Sequence, residues 1–135
     1  RGDCLNLWWR AMGSAGESGA AVALAALRYL KGHPELVDRL RAISRYAREA
    51  FGRRGIPLRE SARMSSTPIL PLLIGGTHET LVAAKRIYDA GVFTNPFVPP
   101  GVPVGEGMIR TSFMATHTRQ LIDEAADILA GALVC

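Results

Sequence analysis

Apolar side chains in the first half of the chain recur every three or four residues, which is the spacing of helices that bury one face. Residues 20–30 are apolar and rich in alanine, and they predict a helix that Gly32 ends. A second helix is predicted over residues 34–51, because Pro34 suits a first helical position and arginines lie opposite the apolar side chains. Residues 20–51 are therefore predicted to form two successive helices.

The hydrophobic period changes after Pro57. Residues 68–74 form a short apolar run that two glycines close, and this pattern predicts a strand. Pro71 lies inside the run and has no N–H group to donate, so we expect the strand at a sheet edge or irregular at that point. A third helix is predicted over residues 77–89, with Thr77 as its N-cap.

Two more strands and a last helix complete the pattern. Residues 92–96 predict a short strand, and the loop that follows carries four prolines within residues 96–103. Residues 108–114 predict a strand whose side chains alternate between two faces. A C-terminal helix is predicted to begin at the cap residue Thr118. This order of helices and strands predicts an α+β fold.

Composition narrows the function classes. The chain has 135 residues, 48% hydrophobic and 21% charged, which suits one globular domain with its own core. The net charge is only +4, and acidic residues are interleaved with the arginines of residues 28–63, so we interpret that stretch as solvated helix surface rather than a nucleic-acid interface. No apolar run reaches the roughly 20 residues that span a bilayer.

The cysteines and histidines show no metal-site or disulfide pattern. Cys4 and Cys135 lie at opposite ends of the chain, so we expect a reducing, cytoplasmic compartment. The three histidines have no metal-ligand spacing, and we expect no metal site. Lys31 and Lys85 lie among polar neighbours on predicted helices and are interpreted as surface amines. The sequence begins at Arg1 without an initiator methionine, which suggests a piece of a longer protein.

Arg110 is the charged residue with the clearest chemical requirement. It lies in an otherwise uncharged predicted strand directly after the proline-rich loop, where a guanidinium needs an anion or several acceptors to offset the loss of water. A ligand carboxylate would serve, because it accepts two parallel hydrogen bonds from arginine. An internal ion pair or an exposed position at a sheet edge explains the same pattern, and the residues alone leave these alternatives open.

Four segments, in this order along the chain, carry a family resemblance. They are STPILPLLIG at residues 66–75, DAGVF at 89–93, VPPGVP at 98–103 and IRTSFMATHT at 109–118. Together they resemble the C-terminal part of the α-oxoamine synthases, which are pyridoxal phosphate enzymes of fold type I. Residues 1–16 depart from the family pattern.

The resemblance implies an enzyme that uses pyridoxal phosphate to condense an amino acid with an acyl thioester, with decarboxylation. It implies that Arg110 binds the amino-acid carboxylate, and that Pro99 and Pro100 belong to a loop bordering the acyl and cofactor pocket. Thr67 could line the entrance to the same pocket. His117 also belongs to the family pattern, and a structural role beside the helix cap is favoured over proton transfer.

The resemblance further implies a small, mainly antiparallel sheet, covered on one face by the helices that begin near Thr77 and Thr118. We expect residues 1–16 to be a segment of unclear role, residues 17–55 to be a helical connector from a large domain, and residues 56–135 to be a small C-terminal α+β domain. The family's catalytic lysine lies in the large domain, so the chain alone is expected to be inactive. The complete protein is expected to be a homodimer.

Two alternatives stay open at this point. The chain could act alone as a small binding module without catalysis, in which case no cofactor absorbance is expected. It could instead belong to an aminotransferase of the same fold group, which would transfer an amino group to a keto acid without consuming a thioester.

Overall fold

A computed structural model describes residues 17–133, so the predicted segment 1–16 lies outside the described residues. The described residues form five helices and three strands, and the α+β fold class is confirmed. In chain order the elements are α1 (Glu17–Gly32), α2 (Pro34–Arg53), α3 (Glu60–Arg63), β1 (Ile69–Gly75), α4 (Thr77–Asp89), β2 (Asn95–Phe97), β3 (Gly107–Ser112) and α5 (Arg119–Leu133).

The described residues belong to two compact units that divide after Val37. The first unit contains α1. Near the end of this helix the ring centroids of Tyr29 and His33 lie 4.2 Å apart, and His33 Nδ1 lies 2.9 Å from a carboxylate oxygen of Glu35. Helix α1 exposes a set of large apolar side chains, which are Val22, Leu24, Leu27, Tyr29 and Leu30. Within residues 17–133, the helices lack the combination of length and apolar character that crossing a bilayer requires.

The second unit is built on a three-stranded antiparallel sheet of order β1-β3-β2, which makes β3 the central strand. Leu70 pairs with Thr111 and Leu72 pairs with Ile109, and all four side chains are buried on one face. The Thr111 hydroxyl donates to the Leu70 carbonyl oxygen at 2.8 Å, which satisfies the polar group in the core. The small antiparallel sheet that the resemblance implies is confirmed.

Both edge strands of the sheet contain a proline. The Pro71 carbonyl in β1 accepts a hydrogen bond from the Arg59 N–H at 3.0 Å, on the outer side of the strand. The N and the carbonyl of one residue point to the same side of an antiparallel strand, so the missing N–H of Pro71 also faces away from β3. In β2, Pro96 pairs with Ile109 of β3. The edge position predicted for the strand with Pro71 is confirmed.

The helices of the second unit cover one face of the sheet and form the core with it. The apolar face of α2 is buried over residues 43–51, whereas Leu40 nearer its start is half-buried. Helices α4 and α5 contact each other, and each buries its apolar side chains. The buried helical core residues are Ile43, Ala47, Ala50, Phe51, Ala62, Ala83, Ile87, Ile122, Ala126 and Leu129.

A cluster of polar side chains joins α2 to α5. The Tyr46 hydroxyl donates to an Asp123 carboxylate oxygen at 2.5 Å, while Arg54 reaches Asp123 at 3.3 Å and Asp127 at 2.6 Å. The hydrogen bond to Asp123 raises the pKa of Tyr46 above its ordinary value. The hydrogen bond from Arg54 lowers the pKa of Asp127, and the same pairing raises the pKa of Arg54. These contacts fix the side of α5 that faces α2.

Strand β2 lies later in the chain than the prediction of residues 92–96. The Val92 N–H is already used at the end of α4, where it donates to the Ile87 carbonyl oxygen at 3.1 Å. The Val92 backbone thus belongs to the helix end, and pairing with β3 begins at Asn95.

The predicted helix caps have different outcomes. Thr118 is confirmed as a cap, because its hydroxyl accepts a hydrogen bond from the Leu121 N–H at 3.2 Å. The prediction for Thr77 is wrong, since Gly76 holds the N-cap position and no side chain caps the helix. The sequence pattern also did not predict the short helix α3.

Candidate functional site

Arg110 lies in the middle of β3, on the face of the sheet that the helices leave uncovered. Alternation along the strand turns Ile109 and Thr111 into the core and places Arg110 on the opposite face. Its partners across the sheet are Pro71 in β1 and Asn95 in β2. The two faces predicted for this strand are confirmed, and the half-buried arginine lies between two short, proline-containing edges.

The guanidinium of Arg110 has no acidic partner within the described part of the chain. Ion pairs in that part of the chain are formed by other arginines, among them Arg41, Arg54 and Arg59. The Nε atom of Arg110 is buried and makes no hydrogen bond. Of the alternatives that the sequence leaves open, an internal ion pair is therefore not found among residues 17–133.

The guanidinium lies over an aromatic ring. The central carbon of the Arg110 guanidinium is 4.9 Å from the centroid of the Phe97 ring. Phe97 ends β2 and pairs with Met108, which makes it a diagonal neighbour of Arg110 across the two strands. A cation over the face of an aromatic ring is attracted by the electrons of the ring. Sequence reasoning missed Phe97, because only the register of β2 reveals this contact.

The arrangement around Arg110 suits an anionic ligand. A buried N–H donor without an acceptor destabilises the folded protein, whereas a bound acceptor removes that cost. A carboxylate fits this requirement, because its two oxygens match the planar fork of the guanidinium. Chemically, the uncovered face can thus bind and orient a carboxylate.

Pro99 and Pro100 lie in the turn directly after β2 and are joined by a cis peptide bond. The Gly101 N–H closes this turn by donating to the Val98 carbonyl oxygen at 3.0 Å. The turn also lies against the Phe97 ring, because a Cβ atom placed on Gly101 would be 4.0 Å from Phe97 Cδ1. The structure therefore brings the proline turn next to the ring beneath the guanidinium.

Thr67 lies two residues before β1 and is exposed. Its hydroxyl is engaged locally, with Ser65 Oγ at 2.9 Å and the Ile69 carbonyl oxygen at 3.4 Å. Ile69 pairs with Ser112 rather than with Arg110, so Thr67 lies farther along the sheet than the arginine. The structure shows no contact between Thr67 and Arg110, and a place at a site entrance stays a prediction.

His117 lies on the other side of the sheet. It lines a cavity of about 360 Å³ between α5 and the core face, together with Thr94 and Leu121. Its Nδ1 accepts a hydrogen bond from the Met114 N–H at 3.3 Å, so the neutral ring carries its proton on Nε2. The His117 ring also packs edge to face with the Phe113 ring, with 6.2 Å between the ring centroids. The structure does not bring His117 to Arg110.

Comparison with known proteins identifies relatives of the chain. No family model matches it. The chain is 34% identical over 112 residues to a serine palmitoyltransferase of Bacteroides thetaiotaomicron, covering 83% of this chain and 27% of that protein. It is 39% identical over 118 residues to a serine palmitoyltransferase of Sphingobacterium spiritivorum, covering 86% of this chain and 29% of that protein. It is 35% identical over 117 residues to an 8-amino-7-oxononanoate synthase of Treponema denticola, covering 85% of this chain and 29% of that protein. The chain thus spans less than a third of the length of these relatives.

Solved structures share the fold of the chain. Serine palmitoyltransferase (SPT) of Sphingomonas wittichii matches with a TM-score of 0.73 at 22% identity, over 85% of this chain and 28% of that one. The 8-amino-7-oxononanoate synthase of Francisella tularensis matches with a TM-score of 0.65 at 16% identity, over 81% and 30%. An SPT structure with a pyridoxal phosphate (PLP) internal aldimine matches with a TM-score of 0.74 at 23% identity, over 85% of this chain and 28% of that one. At these identities the similarity establishes the fold.

Proposed function

Because this chain belongs to the α-oxoamine synthase family and corresponds to its C-terminal part, we propose that it works within a pyridoxal phosphate-dependent acyltransferase. The reaction would join the α-carbon of an amino acid to the acyl group of a thioester, and would release carbon dioxide and the thiol. The chain spans less than a third of its relatives, so the remaining parts of the active site would come from the rest of a longer protein.

Within this reaction, Arg110 would bind the carboxylate of the amino acid. The observation that carries this proposal is the buried Nε of Arg110, which has no hydrogen-bond partner and lies on the uncovered face of the sheet. A two-pronged contact fixes the plane of a carboxylate and hence the direction of its bond to the α-carbon. Arg110 would thus orient the substrate, and it needs no proton transfer to do so.

The residues of this chain do not fit the covalent attachment of the cofactor. Pyridoxal phosphate supplies the electron sink for a carbanion at the α-carbon, and a lysine usually holds it. Lys85 is exposed and paired with Asp89 on α4, while Lys31 is exposed on α1. We therefore propose that the attachment lysine lies outside this chain, and that the chain alone is inactive.

The test is Arg110→Ala in the complete protein loaded with pyridoxal phosphate. Amino-acid binding is followed by the change in cofactor absorption as glycine, L-alanine or L-serine is added. Loss of a two-pronged charged contact costs about 2 to 4 kcal/mol, so affinity should fall roughly 30-fold to 1000-fold. Arg110→Lys should recover only part of it, because an ammonium keeps the charge and loses the fork. Arg41→Ala, which removes an exposed arginine paired with Asp38 on α2, is the control.

The competing hypotheses give different results. If Arg110→Ala lowers the melting temperature and leaves amino-acid affinity unchanged, Arg110 is a structural residue. If the complete protein forms a keto acid and leaves the thioester intact, it is an aminotransferase. If it shows no cofactor absorbance at all, the hypothesis of a binding module is favoured.

Assembly, location and domain limits also belong to this proposal. The exposed apolar side chains of α1 support association with another part of the protein or with a second copy, as a homodimer requires. A cytoplasmic location rests on the two cysteines at opposite ends of the chain. We also keep residues 17–55 as the proposed connector and residues 56–135 as the proposed small domain.

A further inference from the structure

Arg110 is held differently from the other partly buried arginines of the second unit. Arg54 pairs with two aspartates, and Arg48 donates to three backbone carbonyl oxygens. Within residues 17–133, Arg110 makes no ion pair, and its Nε has no partner. The contact that the structure does show is the Phe97 ring beneath the guanidinium, at 4.9 Å. This ring is therefore well placed to restrain the guanidinium.

The register of β2 on β3 places the Phe97 ring. Pairing of Phe97 with Met108 fixes its backbone at the end of β2. The turn that follows comes close to the ring, since a Cβ atom on Gly101 would lie 4.0 Å from Phe97 Cδ1, an ordinary contact, and would crowd the Val98 carbonyl oxygen at 3.3 Å. Strand pairing therefore brings the ring beneath the guanidinium of Arg110.

We propose that Phe97 is a positioning residue for Arg110. The proposal rests on the carboxylate role proposed above for Arg110. A free arginine side chain loses rotamer freedom when it binds a ligand, and a ring that already restrains the guanidinium reduces that loss.

The experiment measures amino-acid binding in the complete protein loaded with cofactor. Phe97→Leu keeps an apolar side chain and removes the aromatic face, so affinity for the amino acid should fall about 3-fold to 10-fold. Phe97→Tyr keeps the face and should remain within about 2-fold of the parent protein. Phe93→Leu is the matched control, because Phe93 is 76% exposed and lies ahead of β2. The probes are glycine, L-alanine and L-serine, each beside its amine without a carboxylate: methylamine, ethylamine and ethanolamine.

The paired probes separate positioning from a general structural role. If Phe97 acts through Arg110, Phe97→Leu weakens binding of the amino acids and leaves the amines unchanged. The same substitution in an Arg110→Ala background should then have no further effect.

Other results overturn the proposal in distinguishable ways. If Phe97→Leu weakens amino acids and amines alike, changes neither, or still acts without Arg110, the positioning role is wrong while Arg110 keeps its own. If Arg110→Ala also leaves amino-acid binding unchanged, the carboxylate role of Arg110 fails, and the positioning role fails with it.

Discussion

Replacing Gly107 by alanine should strongly destabilise the second unit. Gly107 begins β3, is buried, and pairs with Gly75 of β1. A Cβ atom at this position would lie 2.3 Å from Thr80 Oγ1, 2.8 Å from the Gly75 carbonyl oxygen and 3.0 Å from the Gly76 carbonyl oxygen. The first two distances are shorter than real Cβ contacts and the third is tight, so neighbouring atoms must move.

The expected loss in free energy of unfolding follows from the contacts that those atoms make. Thr80 is fully buried, and its hydroxyl donates to the Gly76 carbonyl oxygen at 2.7 Å. Turning the hydroxyl away leaves this buried donor unsatisfied, while the Gly76 carbonyl oxygen keeps its bond from the Thr80 N–H, so the cost is about 1 to 3 kcal/mol. The two carbonyl groups belong to β1 and to the start of α4, and overpacking against them costs about 1 to 3 kcal/mol more. The total, roughly 2 to 6 kcal/mol, is a large part of the stability of a typical domain.

Thermal unfolding followed by circular dichroism measures this effect. The midpoint should fall on the order of 4 °C for each kcal/mol lost. Gly131→Ala is the control, because a Cβ atom placed on Gly131 of α5 would meet no neighbouring group within 4 Å, and alanine should stabilise the helix by about 0.5 to 1 kcal/mol. Adding Thr80→Ala to Gly107→Ala should restore only part of the stability. An unchanged midpoint for Gly107→Ala, or full recovery in the double variant, would refute the role of the two carbonyl groups.

Two smaller effects follow from polar contacts. Thr118→Ala removes the cap of α5 and should cost about 1 kcal/mol in denaturant unfolding, while an equal midpoint would show that the Leu121 N–H finds water just as well. Arg54 lowers the pKa of Asp127 in the folded protein, so their pairing adds stability above the unfolded pKa of about 4 and loses it as the pH falls through the folded value. Asp127→Asn should therefore make stability depend less on pH below about pH 4, and an unchanged dependence would contradict this role.

Much of the fold could be predicted because local chemistry and tertiary packing agree. The proline in β1 requires an outer edge, and the structure places that strand at the edge of the sheet. Helix α5 begins where a threonine can cap it and the apolar spacing starts. Strand β2 was misplaced because its three residues have too little pattern of their own, and the end of α4 uses the backbone of Val92 first.

The position of Arg110 could be predicted from the sequence, whereas the residues that surround it could not. Alternation along β3 places Arg110 opposite the core, and this could be read from the sequence. The contact with Phe97 depends on Asn95 being the residue that pairs with Arg110, a register that three residues cannot specify alone. The separation of His117 from Arg110 likewise depends on how α5 packs, which no local pattern determines.

The prolines in the two edge strands also limit what else can join the sheet. On β1, the outer side presents Pro71 without an N–H and already bonds to the Pro57–Arg59 stretch. On β2, the Ile109 backbone is directed towards Leu72, so Pro96 turns its missing N–H outward as well. A strand from another chain would lose a hydrogen bond at either edge, which disfavours edge-to-edge aggregation. The face that carries Arg110 can therefore stay open to a small ligand without inviting the growth of a larger sheet.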